Sequence, residues 1–127
     1  MKTRVLIIGA GPAGIRAAQT LCAAGLRPIV VDEGARAGGQ IYRRPPQGFA
    51  RAPEVLYGPD APKAQALHSV FDALVAEEAL DYLPRTSVVA LAGGQAQLLQ
   101  DGTVRHLPYD QLILATGAMD RMAPVPG

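Results

Sequence analysis

Gly9-Ala-Gly11-Pro-Ala-Gly14 lies between the apolar run Arg4-Val-Leu-Ile-Ile8 and an alanine-rich segment. A strand, a tight glycine turn and a helix start, in that order, form a seat for a dinucleotide pyrophosphate. Gly9 allows the turn off the strand, Gly11 leaves no side chain where the phosphates must approach, and Gly14 lets the helix pack closely on the sheet. Pro12 and Ala13 open the helix, whose free N–H groups and positive dipole end face the ligand's negative charge. The next apolar run, Arg27-Pro-Ile-Val-Val31, ends on Asp32 and Glu33. A carboxylate there can accept hydrogen bonds from both hydroxyls of an adenosine ribose. Glycines also make ordinary turns, so the weight falls on the whole strand–turn–helix–strand–acid context.

The elements that position these residues follow from periodicity and punctuation. Residues 3–8 are predicted as a buried parallel strand. Residues 12–24 are predicted as a helix, with Pro12 tolerated in its first turn and Gly25 as its C-cap. Residues 28–32 are the second strand. From Gly34 to Pro62 the chain is rich in Gly, Pro and Arg and lacks periodicity, which predicts a long loop with one short helical turn. A helix from Pro62 to about Leu80 places Leu67, Val70, Phe71, Leu74 and Val75 on one face. Three short strands follow at 86–92, 95–100 and 103–107, joined by the two-residue hairpin signals Gly93-Gly94 and Asp101-Gly102. Asp110 to Gly117 is again an apolar strand ending in a glycine turn. The fold class is α/β: a parallel sheet with helices, plus a three-stranded β-meander.

Composition narrows the function. The chain has 127 residues, 49% hydrophobic and 18% charged, which suits one globular domain with a core. A net charge of +1 argues against nucleic acid as a default partner. The single cysteine, Cys22, forms neither an internal disulfide nor a Cys-Cys metal site, and suits a reducing, cytoplasmic compartment. No segment is long enough to span a membrane, and no His pair has metal-ligand spacing, so no metal is expected. His68 and His106 read as structural or exposed residues. Arg36, Arg43, Arg44 and Arg51 read as a solvated basic face of the long loop. Tyr42 is left open between stacking near a cofactor and capping the core.

Three motifs together carry a family resemblance: Gly9-Ala-Gly-Pro-Ala-Gly14 followed by Asp32, then Gly38-Gly39-Gln40, then Ala115-Thr116-Gly117. With this element order the chain resembles the first half of the FAD domain of two-dinucleotide-binding flavoproteins, which include the disulfide reductases and thioredoxin reductase. Val31-Asp-Glu-Gly-Ala-Arg-Ala-Gly-Gly-Gln-Ile-Tyr-Arg43 and Ala115-Thr-Gly-Ala-Met-Asp-Arg121 look like one branch. That branch holds the A or alpha subunits of opine dehydrogenases, hydrogen cyanide synthase, proline and hydroxyproline dehydrogenases and sarcosine oxidase. Disulfide reductases carry a cysteine pair just after the Gly-Gly motif, whereas here Gln40-Ile-Tyr-Arg-Arg44 follows Gly39, so disulfide chemistry is absent from this stretch.

The resemblance implies a Rossmann-like FAD-binding domain, incomplete at its C-terminus. Residues 1–127 would be the N-terminal part of an FAD/NAD(P)-binding domain, with a nicotinamide cofactor at a domain not present here. It implies that Asp32 is the ribose-binding acid with Glu33 its neighbour. It brings Gly38, Gly39 and Gln40 close to the pyrophosphate and ribityl chain, closes Ala115, Thr116 and Gly117 over the cofactor, and places backbone groups near Val88 at the adenine. Its functional expectations are FAD or another adenine nucleotide as ligand, and a heteromeric amine, opine or amino-acid dehydrogenase as the enzyme. The expected partners are a second flavoprotein subunit together with a small ferredoxin-like subunit. A thioredoxin-reductase-like NAD(P)H-dependent flavoenzyme and a non-catalytic adenine-nucleotide-binding subunit stay as alternatives. No catalytic side chain is expected in the chain itself, because the flavin carries the redox chemistry.

Overall fold

The computed structural model describes residues 2–119 and 122–125. Asp120 and Arg121 of the second branch motif, and Pro126 and Gly127, lie outside the described residues. The elements run β1 (Val5–Ile8), α1 (Pro12–Ala23), β2 (Ile29–Val31), α2 (Pro53–Tyr57), a 3₁₀ turn (Gly58–Asp60), α3 (Ala61–Ala76), β3 (Asp81–Leu83), β4 (Ser87–Ala92), β5 (Gln95–Gln100), β6 (Thr103–Pro108) and β7 (Gln111–Leu114).

Four strands form a parallel sheet in the order β3-β2-β1-β7, and β4-β5-β6 form a separate antiparallel sheet. In the parallel sheet Ile7 pairs with Val30 on one side and Ile113 on the other. Alternation of side chains divides this sheet into two buried faces. Ile7 and Val30 meet Ile15 and Ala18 of α1 and Leu67 and Phe71 of α3. Leu6 and Val31 meet Ala96 and Leu98 of β5. The parallel sheet is therefore a middle layer between helices and meander. From β1 the chain moves outward to β2 and β3, then returns to the other side of β1 as β7. That reversal is a topological switch point, where ligands of open α/β sheets gather at the carboxyl ends of the strands.

Most predicted boundaries hold to within two residues, and the exceptions have local causes. α1 ends where Gly25 takes φ +81 and Leu26 N–H reaches back to the Leu21 carbonyl. α3 stops at Ala76, short of the expected Leu80. Its reversal uses Glu78 at φ +55, with Ala79 N–H donating to the Leu74 carbonyl, so no glycine marks the stop. The residues that follow supply β3, a three-residue edge strand absent from the expected elements. Both meander turns use the expected pairs at positive φ, Gly93-Gly94 and Asp101-Gly102. The loop from Gly34 to Pro62 contains α2 and the 3₁₀ turn, where one helical turn was expected.

Candidate dinucleotide site

The first glycine turn leaves β1 and enters α1, and its three glycines have different physical reasons. Gly9 has φ +112, and a Cβ there would overlap the Ala115 carbonyl oxygen just beyond β7. A Cβ on Gly14 would overlap the Gly9 carbonyl oxygen. Gly9 is demanded by its positive φ and the close approach of the β7 end, and Gly14 by the close seating of α1 on the turn. Gly11 is different. Its φ of −84° and ψ of −171° suit any residue, and a Cβ there would meet only Gly39, at an ordinary 3.5 Å. Gly11 is the N-cap of α1 and no side chain caps the helix. With Pro12 at the first position, Ala13 and Gly14 have N–H groups without intrahelical acceptors. Ala13 is exposed and Gly14 buried. The helix thus presents bare backbone and its positive end to the outside of the sheet.

The second turn packs against the first. Gly38 N–H donates to the Ala10 carbonyl at 2.8 Å. Gly39 has φ +67, and a Cβ there would come to 2.9 Å from Gly11 Cα. The two turns touch through these glycines along a crease beside the α1 N-terminus, where Gly11 and Gly39 are half-buried and Ala13 is exposed. Gly38, expected to approach a ligand, has its open side turned inward: a Cβ would overlap the Tyr42 carbonyl oxygen and come within 2.9 Å of His68 Nε2. Gln40 follows on the exposed side of the turn. Two surface clefts of about 490 and 350 Å³ lie elsewhere, beside Arg27 and Arg105 and beneath Arg36 and Arg44.

Asp32 stands at the end of β2, half-buried, with Glu33 exposed beside it. Its carboxylate accepts from Ala10 N–H at 2.8 Å through Oδ1 and from Gly34 N–H at 2.9 Å through Oδ2. It therefore ties the first glycine turn to the loop after β2. Each carboxylate oxygen keeps acceptor capacity for a further donor. The turn after β3 completes this corner: Asp32 N–H donates to the Leu83 carbonyl, Thr86 N–H to the Asp32 carbonyl, and Arg85 N–H, at φ +49, to the Gly34 carbonyl. Thr86 is buried, with its hydroxyl on the Pro84 carbonyl at 2.8 Å. Sequence reasoning misses Pro84–Thr86. Their only signal is Pro84 before a strand expected to begin at Thr86, which marks a break in the chain and not a contact with Asp32.

At the end of β7, Ala115 N–H donates to the Ile8 carbonyl at 2.8 Å, which brings Ala115 beside Gly9. Thr116 is exposed, and Gly117 takes φ +72 with nothing near its missing side chain. The structure thus gathers Gly9, Gly11, Gly39, Asp32 and Ala115 at one edge of the sheet. Val88 is apart from them in its packing: it lies on β4 against the Leu6, Val31 and Leu98 cluster.

The arginine-rich loop is less solvated than expected. Arg44 has a side chain only 10% exposed and forms a two-pronged ion pair with Asp72 of α3, at 2.8 and 2.9 Å. A planar guanidinium meeting a carboxylate in this way fixes both direction and distance. The expectation of a solvated basic face is corrected for Arg44. Arg36 donates to the Pro45 carbonyl at 3.0 Å. Tyr42 packs against the helix-side core and meets the Tyr57 ring edge-on at 6.1 Å, so it serves packing. His68 is half-buried with Nε2 2.8 Å from the Tyr42 carbonyl, the structural role expected for it. Burial holds its imidazole below the ordinary pKa, against an upward pull from the Tyr42 carbonyl. Among the described residues no group of three or more potential metal ligands converges, and no helix is long and apolar enough to cross a membrane.

The family model described as pyridine nucleotide-disulphide oxidoreductase matches residues 3–127. The chain is 41% identical over 132 residues to the A subunit of opine oxidase from Rhizobium meliloti, covering 97% of this chain and 24% of the relative. It is 35% identical over 130 residues to the HcnB subunit of hydrogen cyanide synthase from Pseudomonas protegens, covering 100% of this chain and 27% of the relative. The chain thus spans about a quarter of the length of these curated relatives. Among solved structures, bacillithiol disulfide reductase Bdr (YpdA) from Bacillus cereus superposes with a TM-score of 0.66 at 19% identity, over 92% of this chain and 29% of that one. That likeness establishes a shared fold.

Proposed function

The chain belongs to the pyridine nucleotide-disulphide oxidoreductase family and has its FAD-binding fold, and we propose that it holds the ADP half of FAD over the crease where its two glycine turns meet. One observation carries the assignment to this crease. Every other glycine of the two turns is demanded by positive φ or by a neighbouring atom, but Gly11 is demanded by neither. A bare backbone that the fold does not need, at an uncapped helix N-terminus, is what a pyrophosphate requires. The acceptor capacity left on Asp32 supports its assignment to the adenosine ribose. A 2′-phosphate would meet the charges of Asp32 and Glu33, which favours FAD over NADP at this position.

In this reading Gly11, Pro12, Ala13 and Gly14 receive the phosphates, and Gly9 sets the turn that aims them. Asp32, with Glu33 next to it, takes the ribose. Gly38, Gly39 and Gln40 border the crease on the flank where Gly39 rests on Gly11, with Gly38 holding the turn from the inner side and Gln40 toward the flavin end. Ala115, Thr116 and Gly117 close the crease from β7, and backbone near Val88 borders the adenine. The bound flavin would supply reversible two-electron chemistry. The residues of this chain bind, orient and exclude water. Cys22, half-buried on α1 and directed at the Ala79 carbonyl, leaves no cysteine pair beside the crease, which disfavours dithiol chemistry there.

Two relatives are named as subunits, of an opine oxidase and a hydrogen cyanide synthase. We extend this to the present protein as part of a heteromeric dehydrogenase acting on an amine, opine or amino acid. Its partners would be a second flavoprotein subunit together with a small ferredoxin-like subunit, and a nicotinamide cofactor would belong to a domain outside this chain. We place it in the cytoplasm, the compartment that a free thiol suits. Gly11→Ala tests the site. It should change the stability of the apoprotein by less than about 1 kcal/mol, since the Cβ fits, and weaken FAD by about tenfold or more. Unchanged FAD affinity in a folded variant would remove the crease as the site. ADP bound without FAD would favour the non-catalytic nucleotide-binding reading.

A further inference from the structure

We infer that His68 of α3 is a positioning residue for the cofactor crease: its hydrogen bond to the Tyr42 carbonyl sets the second glycine turn so that Gly39 faces Gly11. The inference rests on the reading of that crease as the FAD site. The Tyr42 carbonyl can only accept, so His68 Nε2, 2.8 Å away, carries the hydrogen. The same residue closes a tight turn, because Tyr42 N–H reaches back to the Gly38 carbonyl at 3.3 Å. Gly38 is bound in turn to the Ala10 carbonyl of the first glycine turn. A Cβ on Gly38 would strike both the Tyr42 oxygen and His68 Nε2. The imidazole, the carbonyl and the bare Gly38 therefore converge with no slack between them.

Other anchors act further along the strap. Tyr57 lies edge-on to the His68 ring at 5.7 Å and donates its hydroxyl to the Arg43 carbonyl. Arg44 is fixed by Asp72 and donates weakly to the His68 carbonyl at 3.4 Å. These hold residues 43 and 44, whereas His68 bonds to the end of the Gly38–Tyr42 turn. Without its donor the carbonyl of half-buried Tyr42 loses the hydrogen bond it makes among the described residues. The turn can then rotate, and Gly39 is no longer held against Gly11.

The test measures FAD affinity by flavin fluorescence, with apoprotein melting alongside, on the protein as expressed from its gene. His68→Leu should weaken FAD by about tenfold. His68→Gln, whose amide N–H can reach the carbonyl, should return affinity to within about threefold of wild type. A packing role alone would lower melting in both variants without separating their FAD affinities, and that result overturns the inference. So does His68→Leu binding FAD as tightly as wild type. Should His68→Leu not fold, His68→Gln is compared with His68→Asn, one methylene shorter. Only the glutamine should bind FAD normally, and equal affinities overturn the inference. A wild-type protein that binds no FAD fails the underlying reading instead, and is recognised because no variant is then needed to see it.

Discussion

Asp32→Ala separates the structural role of one carboxylate from the ribose-binding role proposed for it. The structure gives Asp32 two backbone N–H partners before any ligand arrives, Ala10 at 2.8 Å and Gly34 at 2.9 Å. Hydrogen bonds to a charged group contribute roughly 1.5–3 kcal/mol each. The Gly34 bond is exposed, so water replaces much of it when the carboxylate is removed. The Ala10 bond is partly buried and lies inside the glycine turn, where water substitutes poorly. The expected loss is therefore about 2–3 kcal/mol in the apoprotein, close to one full bond and part of another. Urea unfolding of apoprotein, with an unchanged denaturant slope, measures this loss directly. FAD titration of the same variant should show a further loss, because the ribose acceptor has gone as well. Apoprotein stability within about 0.5 kcal/mol of wild type would refute the structural half of the reasoning. Asp32 would then serve the ligand alone.

Three further outcomes follow from particular contacts. Gly14→Ala should destabilise the fold by about 3 kcal/mol or more, because its Cβ overlaps the backbone carbonyl of Gly9 and only a shift of α1 relieves it; a urea midpoint near wild type would contradict this. His68 is held below the unfolded pKa, first by burial and also by Arg44 and Arg36, against the Tyr42 bond and Asp72. Its contribution is present above about pH 6.5 and is lost as pH falls toward its depressed folded pKa, so stability should drop more steeply on acidification in wild type than in His68→Gln. Tyr82 has a buried hydroxyl without a partner among the described residues and a phenol pushed up to about 12, chiefly by burial and then by Asp32. Tyr82→Phe should be neutral or stabilising by up to about 1 kcal/mol, and should remove a loss of wild-type stability that begins above about pH 10.

The middle of the fold was legible because its residues serve one purpose each. Val5 to Ile8, the Gly9–Gly14 turn and the hairpin pairs Gly93-Gly94 and Asp101-Gly102 carry local signals that the tertiary structure uses unchanged. β3 was not legible. It has three residues, begins on Asp81, and is a strand only because β2 offers it an edge. The end of α3 was misplaced for a related reason, since Glu78 takes a left-handed conformation that sequence reading reserves for glycine. In the site, the glycine motif already distinguished Gly9 for the turn, Gly11 for ligand approach and Gly14 for helix packing; what spacing could not show is that Gly38 turns its open side inward against Tyr42 and His68, and that Gly39 rests on Gly11. Nor could spacing show that Arg44 turns inward to Asp72, or that Asp32 is already bonded to Ala10 and Gly34, because both depend on where distant segments pack.

A crystal structure of the protein with FAD tests the central claim most directly. The expected density places the pyrophosphate against Gly11 and the N–H groups of Ala13 and Gly14, the adenosine ribose within hydrogen-bond distance of Asp32, and Gly39 beside Gly11 at the border of the phosphates. FAD held away from Gly11, or phosphates that leave the α1 N-terminus open to solvent, would contradict the account.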